Sequence, residues 1–517
     1  MSLEIDFNEY LRNDQLEDPP LEFLGTFVNI TPYMGGSFDN GKTFRGNRFI
    51  GHPTAQAIKA RARYASLLAL TSFITSPQSY KDAFKIKVII EGDKEEIPLL
   101  CLIYGCVDSH QFGSPFHLIV KNVRGAKKWR NAGNRKAKDR YNAILRRNDK
   151  RMELAPAETG TVSFELHVSV DEDRLVLLEL TPREIEILKE IFESSVLVAL
   201  SLFGIGKAAS RGFGRFWKKD EELTFEKLIE NVEKLLEHWK ELLSKLKKSD
   251  KLKIYKDEIE LKDDYSKDII IGKVPHLGFI PRIKTEFSNE LFMRSRAPID
   301  TKIEMIARAV LKSNWRRRSS GGGARFHTWP LGLPRSSKIK CTCYGYDGNY
   351  QRYGYFVTSM ISPTREIACE HSRPCGGSNI PTTEDRHQSM VYFIPLKEGI
   401  VIVPFFTDAM KDELIFTRTA RKLYHVGGIF VEGKPCCNRR FISVSRVLLG
   451  RDPIKFPEAR EGCDCGSERL GIARPPRRSP RLMNEVTKGS RGRDDRLYRE
   501  ALAASLEWTI FVLKRRF

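Results

Sequence analysis

An α+β fold is what this sequence predicts, and its first half follows the order of a ferredoxin-like βαββαβ domain. Three observations lead there. Phe164, Leu166, Val168 and Val170 alternate with Glu165, His167, Ser169 and Asp171, the two-residue period of a half-buried strand. Thr181-Pro182-Arg183-Glu184 joins a capping residue, a proline at the first helical position and a glutamate three residues after the cap. Behind it Ile185, Leu188, Ile191, Phe192, Val196, Ala199 and Leu202 recur at helical spacing, and Gly204 supplies the stop. The remaining blocks fall in the order strand, helix, strands, helix, strand.

Taken from the N-terminus, residues 1–20 are polar, end in Pro19-Pro20 and read as a loosely held leader. Leu21 to Thr31 is a strand, and Pro32 to Phe49 a glycine-rich, positively charged loop. Ala55 to Leu70 is a two-faced helix, with Ile58, Ala62, Ala65 and Ala69 on one side and Gln56, Lys59 and Arg63 on the other. Strands follow at Ala83 to Glu91, Ile97 to Tyr104, Phe116 to Val123 and Phe164 to Asp171, and a last one at Arg215 to Lys218. Thr224 to Lys248 is a long amphipathic helix with the stripe Phe225, Leu228, Val232, Leu235, Trp239, Leu243 and Leu246, a connector between halves.

Beyond it the pattern is less regular. Leu277 to Phe292 is a strand candidate, and Asp300 a cap for a helix holding Ile303, Ile306, Ala307 and Val310. Further strands are expected at Tyr353 to Ser359, Ser389 to Ile394, Ile400 to Phe406 and Phe441 to Leu448, with a buried closing helix over Asp494 to Phe511. The resulting division is a first domain over 1–220, a helical connector over 221–275 and a second domain over 276–517.

Charge narrows the function. The 517 residues carry 87 lysines and arginines against 66 acidic residues, a formal charge of +21. That balance points to a polyanion, nucleic acid or an anionic membrane. No apolar run reaches the ~20 residues of a membrane-spanning helix, and the acidic start Met1 to Asp6 is unlike a signal peptide, so a cytoplasmic protein is expected. Scarce glutamine beside abundant lysine, arginine and glutamate is a thermophile-like bias.

Two stretches could meet a polyanion. Arg124 to Pro156 interleaves many basic residues, Lys128 and Arg130 among them, with Trp129 and Tyr141, a composition suited to phosphate neutralisation and base stacking, or simply a solvated charge run. Gly204-Ile205-Gly206-Lys207-Ala208-Ala209-Ser210-Arg211-Gly212-Phe213-Gly214 follows the capped helix, and its glycines allow close approach to another surface. Its spacing fits neither a dinucleotide fingerprint nor a phosphate loop. Gly321-Gly322-Gly323-Ala324-Arg325-Phe326 echoes its composition.

Eight of the ten cysteines lie beyond residue 340. Cys341/Cys343 has one intervening residue and Cys369/Cys375 five, including His371, so disulfides, a structural zinc and free thiols all stay open, with no other cofactor implied. The histidines stand in no catalytic arrangement.

Phe203-Gly204-Ile205-Gly206 followed by Ser210-Arg211-Gly212-Phe213-Gly214 resembles the glycine-rich loop of the RAMP superfamily, the RNA-binding proteins of CRISPR effectors. Ile30-Thr31-Pro32-Tyr33-Met34-Gly35-Gly36, and Leu102 to Cys106 through Ser114-Pro115, resemble stretches of the first subunit of the type III-B (Cmr) complex. The resemblance spans roughly residues 21–220. It implies a second, decorated ferredoxin-like domain, guide and target RNA and other Cmr subunits as partners, and antiviral defence as the role. RNA contacts are expected at Gly35, Gly36, Arg45, Gly204, Gly206, Lys207, Arg211, Gly212, Phe213 and Gly214 of the resembling loops, at Lys59, Arg61 and Arg63 of the basic helix face, at Lys128, Trp129 and Arg130 of the basic insertion, and at Arg325 of the second glycine-arginine stretch. The subunit it resembles is non-catalytic. A RAMP-type endoribonuclease is the alternative, metal-dependent with Asp39 as its candidate, as in backbone RAMP subunits with a metal-supporting aspartate, or metal-independent and using a histidine.

Overall fold

The computed structural model describes residues 21–35, 44–45, 48–90, 95–106, 113–125, 127–128, 157–176, 178–254, 259–310, 335–344, 350–361, 382–383, 389–409, 414–419, 442–443 and 479–514. Along the chain run β1 (Glu22–Asn29), β2 (Phe44–Arg45), β3 (Arg48–Phe49), α1 (Ala55–Thr71), β4 (Ile86–Ile90), β5 (Glu95–Pro98), α2 (Leu99–Tyr104), β6 (Phe116–Arg124), β7 (Ser163–Val170), α3 (Glu172–Val176), α4 (Pro182–Val198), β8 (Phe216–Lys218) and α5 (Phe225–Lys248). There follow β9 (Leu252–Ile254), α6 (Pro281–Thr285), α7 (Ser288–Leu291), β10 (Phe292–Arg294), α8 (Ile299–Val310), β11 (Arg335–Tyr344), β12 (Tyr350–Ile361), β13 (Thr382–Thr383), β14 (Val391–Pro395), β15 (Gly399–Pro404), β16 (Leu414–Thr419), β17 (Ile442–Ser443), α9 (Pro480–Thr487) and α10 (Gly492–Lys514). The fold is α+β, built on small antiparallel sheets.

The first sheet runs β6-β7-β1-β8 with every neighbour antiparallel. Phe27, Phe164, Leu166 and Phe216 face inward, and Phe116 stacks on Phe192 of α4 at 5.2 Å, so α4 covers the face that α1 also packs near. The capping box that opens α4 is formed: the Glu184 amide donates to Thr181 Oγ1 and the Thr181 amide to Glu184 Oε2, satisfying two donors otherwise orphaned at the helix start. α4 then widens into a π turn over Ala199–Phe203 and stops at Gly204, whose φ is +70°. α5 buries the whole expected stripe from Phe225 to Leu246 and lies along α4.

In the second half β10-β15-β14 form a three-stranded antiparallel sheet, with α8 between β10 and β14 in sequence and α10 after β15. A single apolar core joins both halves, from Phe27 and Phe203 to Tyr392, Phe405 and Leu502. Phe203 stacks on Phe405 at 5.6 Å and meets Tyr392 edge-on at 5.7 Å.

Two expected strands are corrected. The apolar run expected as strand over Ile97 to Tyr104 is strand only to Pro98; Leu99–Tyr104 is helix, buried on every side, ended by Gly105 at φ +74°. An unbroken apolar run carries no period, so burial from all directions suited either shape. Cys101 and Cys106 form a disulfide across that helix end, at a Cα separation of 5.2 Å. The strand expected over Leu277 to Phe292 is two short helices, α6 and α7, opened at Pro281, and only Phe292–Arg294 is strand. Ile86–Ile90 pairs with β5 and β9 in a sheet of its own.

Candidate nucleic-acid interface

The glycine-rich loop closes on this chain's own backbone. The Lys207 amide donates to Met34 O at 2.9 Å and the Gly214 amide to Pro32 O at 3.0 Å, so the loop is laced to the segment after β1. A Cβ on Gly206 would stand 2.3 Å from Met34 O, and one on Gly214 1.9 Å from Ile205 O, with φ of +83° and +67°. Neither position has room for a side chain. The surface that these glycines approach closely is therefore internal.

Arg215 holds the loop from beneath. Its side chain is fully buried; Nη1 donates to the Ala209 and Phe213 carbonyls, the latter at 2.7 Å, and Nη2 to Leu202 O at 2.8 Å. Burial pushes its pKa down to about 9, with Tyr392 raising it and Arg61 lowering it further. It remains a cation at neutral pH. The sequence reading passed over Arg215, which lies just past the glycine motif; the signal was a basic residue inside an otherwise apolar Phe213 to Trp217 run.

Around this loop an aromatic knot assembles. Tyr33 meets Phe216 at 5.1 Å and Phe49 at 6.5 Å; Phe44 lies 5.6 Å from Phe49, and His52 4.8 Å. β2 pairs with β3 so that Phe44 faces Phe49 and Arg45 faces Arg48. The phenylalanines turn into the knot and both arginines are exposed. Tyr33 and Lys128 bridge to Ala157 from either side, and Lys128 Nζ sits 5.8 Å over the Phe44 ring. Exposed Arg124, Lys127 and Lys207 complete the rim. A Cβ on Gly35 would lie 2.1 Å from Gly51 O, packing the strand-exit loop against the entry to α1. The aromatic knot is thus rimmed by cations, the side-chain type that can meet phosphates.

The expected contacts divide. Arg45, Lys128, Gly206 and Lys207 come together at this surface, whereas Gly35, Gly204 and Gly214 are buried beneath it and pack on the chain's own backbone. Arg211 closes a short 3-10 turn beside them and is half-buried. Phe213 is a correction: it is wholly buried against Met34, Ile303 and Ala307, so its ring faces no base. Gly212, at φ +96°, is likewise turned inward, its missing Cβ 3.0 Å from Pro395 and 3.4 Å from Ile306. The second part of the glycine motif is a joint between the two halves. Lys59 is also turned inward: Nζ donates to Ser114 Oγ and Phe116 O, each at 2.7 Å, and burial with Arg63 nearby lowers its pKa to about 8. Arg63 stacks over Phe84 at 5.5 Å, and Arg61 is half-buried with its charge felt at Arg215. Gly36, Asp39, Trp129, Arg130, Arg325, Cys369 and Cys375 lie outside the described residues, and so do the side chains of Cys341 and Cys343 on β11.

Among the described residues no group of three or more histidine, cysteine or acidic side chains could hold a metal ion, and no helix is long and apolar enough to cross a membrane.

No family model matches the chain, and no curated protein does. Solved structures of Cmr proteins are similar to it. Cmr1 from Pyrococcus furiosus, in its apo form, matches over 56% of this chain and 71% of its own, at 11% identity and a TM-score of 0.33. A chain of the type III-B Cmr-beta complex bound to cognate target RNA matches over 77% of this chain and 95% of its own, at 11% identity and a TM-score of 0.36. Cmr6 from Pyrococcus furiosus matches over 38% of this chain and 98% of its own, at 18% identity and a TM-score of 0.21. At these values the likeness transfers no residue's role.

Proposed function

We propose that this chain is a non-catalytic RNA-binding subunit of a type III-B CRISPR ribonucleoprotein, contacting guide RNA and its paired target alongside other Cmr subunits. The observation that carries the reading is the meeting of two separately recognised motifs. The Tyr33-Met34-Gly35 segment and the Gly204 to Gly214 loop are hydrogen-bonded to each other, and Arg45, Arg48, Lys127 and Lys128 surround the same aromatic knot. Cations on a preformed base suit a phosphate backbone.

Fold order supports it. The first sheet has strands in the order second, third, first, fourth of a βαββαβ unit, the arrangement of a ferredoxin-like domain, counting β1, β6, β7 and β8 in chain order. β10, α8, β14, β15 and α10 repeat the first five elements, with strands again ordered first, third, second. We read the chain as two such units with long insertions, joined by α5 and sharing one core.

The test is reconstitution with the other Cmr subunits, guide RNA and magnesium. Wild-type chain alone should leave labelled single-stranded RNA intact, and Asp39→Ala should leave target cleavage by the full complex unchanged. Loss of cutting with Asp39→Ala would establish the endoribonuclease reading instead.

A further inference from the structure

The face of the first sheet opposite α4 carries an aromatic pair that the interface above does not use. In the β1–β7 register Phe23 stands directly across from His167, their ring centroids 5.2 Å apart. Leu166 and Val168 point into the core, so alternation sends His167, and Phe23 with it, to the outer side. Phe23 is 56% exposed, one of few large apolar side chains in that state among the described residues. It sits beside a bulge: the register slips between Phe23 and Gly25, and Gly25 takes φ +140°. Bulges re-aim the side chains next to them.

The surroundings are those of a recognition surface. Beneath the pair, Ser169 is 3% exposed two residues along β7 on the same side, and His167 Nε2 is covered and faces Glu165 Oε2 at 3.7 Å, so the histidine backs the phenylalanine. On the neighbouring strand Lys121 is exposed on this side, opposite Glu165. Adjacent aromatics on the two central strands of a four-stranded antiparallel sheet form a platform on which an unpaired base stacks.

We propose that Phe23, backed by His167, forms a stacking site for an unpaired nucleobase of single-stranded RNA, with Lys121 toward the backbone. This rests on the RNA-binding reading but concerns the opposite kind of contact, base rather than phosphate. It places a second RNA contact on the sheet face, apart from the glycine loop.

Anisotropy with labelled oligouridylate and with an abasic oligoribonucleotide of equal length separates the two. Phe23→Ala and His167→Ala should each weaken oligouridylate binding roughly tenfold, leave the abasic strand's affinity unchanged and leave the salt dependence unchanged. Phe23→Tyr should retain binding. Phe23 is exposed, so its truncation spares the core, and circular dichroism checks the fold. Equal loss on both strands, or Phe23→Ala binding like wild type, would overturn the stacking site while leaving the RNA-binding reading in place. Wild-type protein that binds neither strand would overturn both.

Discussion

Replacing Arg215 should do more damage than replacing any exposed cation of the interface. The guanidinium is fully buried, with no acidic side chain paired to it among the described residues, and bonds three carbonyls that bracket the glycine loop: Leu202 before it, Ala209 and Phe213 within it. Arg215→Ala removes the fork and opens a cavity, leaving buried acceptors unpaired; such a loss costs about 3–5 kcal/mol. Arg215→Met separates the two effects, because it keeps most of the volume and abolishes the cost of burying a charge. If the carbonyls are what the arginine serves, Arg215→Met still loses about 2 kcal/mol, each orphaned acceptor costing about 1–3 before relaxation. Arg215→Lys should fall between, since an ammonium cannot span three acceptors in a planar fork. Urea unfolding followed by circular dichroism, at fixed pH and salt, reads all three. An Arg215→Met variant as stable as wild type would refute the reasoning, for it would mean that the carbonyls need no donor and the loop holds its shape unaided.

Two further outcomes follow from the described geometry. Gly206→Ala should destabilise the fold and weaken RNA binding together, because its Cβ would meet Met34 O at 2.3 Å and φ is +83°, whereas Gly160→Ala, with φ +74° and open space around it, should cost only about 1 kcal/mol; thermal melts of the two compare steric closure with backbone strain alone. His276 is buried, accepts at Nδ1 from the Gly278 amide at 3.1 Å, and burial lowers its pKa from 6.5 to about 4. The unfolded chain therefore binds a proton at a pH where the folded one does not, so stability should be full above about pH 6.5 and fall as pH drops toward 4, by a total on the order of 3 kcal/mol. His276→Asn should flatten that part of the stability profile, measured by urea midpoints across pH; an unchanged profile would show that another group titrates there.

Local signals were readable where they agreed with burial. β1, α1, β6, β7, α4 and β8 lie close to their expected bounds because alternation, the Thr181 capping box and the Gly204 stop are short-range devices that the core reinforces. The α5 stripe was equally plain. What escaped was set by contacts distant in sequence. Leu99–Tyr104 is helical because it is enclosed from all sides, a fact that no period in its residues records. The glycine motif announced close approach, and the approach is real, but its partners are Met34, Pro32 and Pro395 of the same chain. Phe213 and Lys59 looked surface-facing by type and motif; one fills a gap between halves, and the other satisfies Ser114 Oγ and a strand carbonyl. Arg45 and Arg48 face each other only because two phenylalanines on the same hairpin turn into the aromatic knot, which spacing alone does not reveal.

The central claim, that RNA is gripped by cations arrayed on the Tyr33–Phe49 knot, is tested most directly by a salt titration of single-stranded RNA binding. Arg45, Arg48 and Lys127 are exposed, so alanine at all three positions leaves the core alone. Each lost phosphate contact lowers the log–log slope by about 0.7, so the triple variant should bind more weakly and its slope should be shallower by about 2. Identical affinities and slopes for the triple variant and wild type, with both folded, would contradict the account.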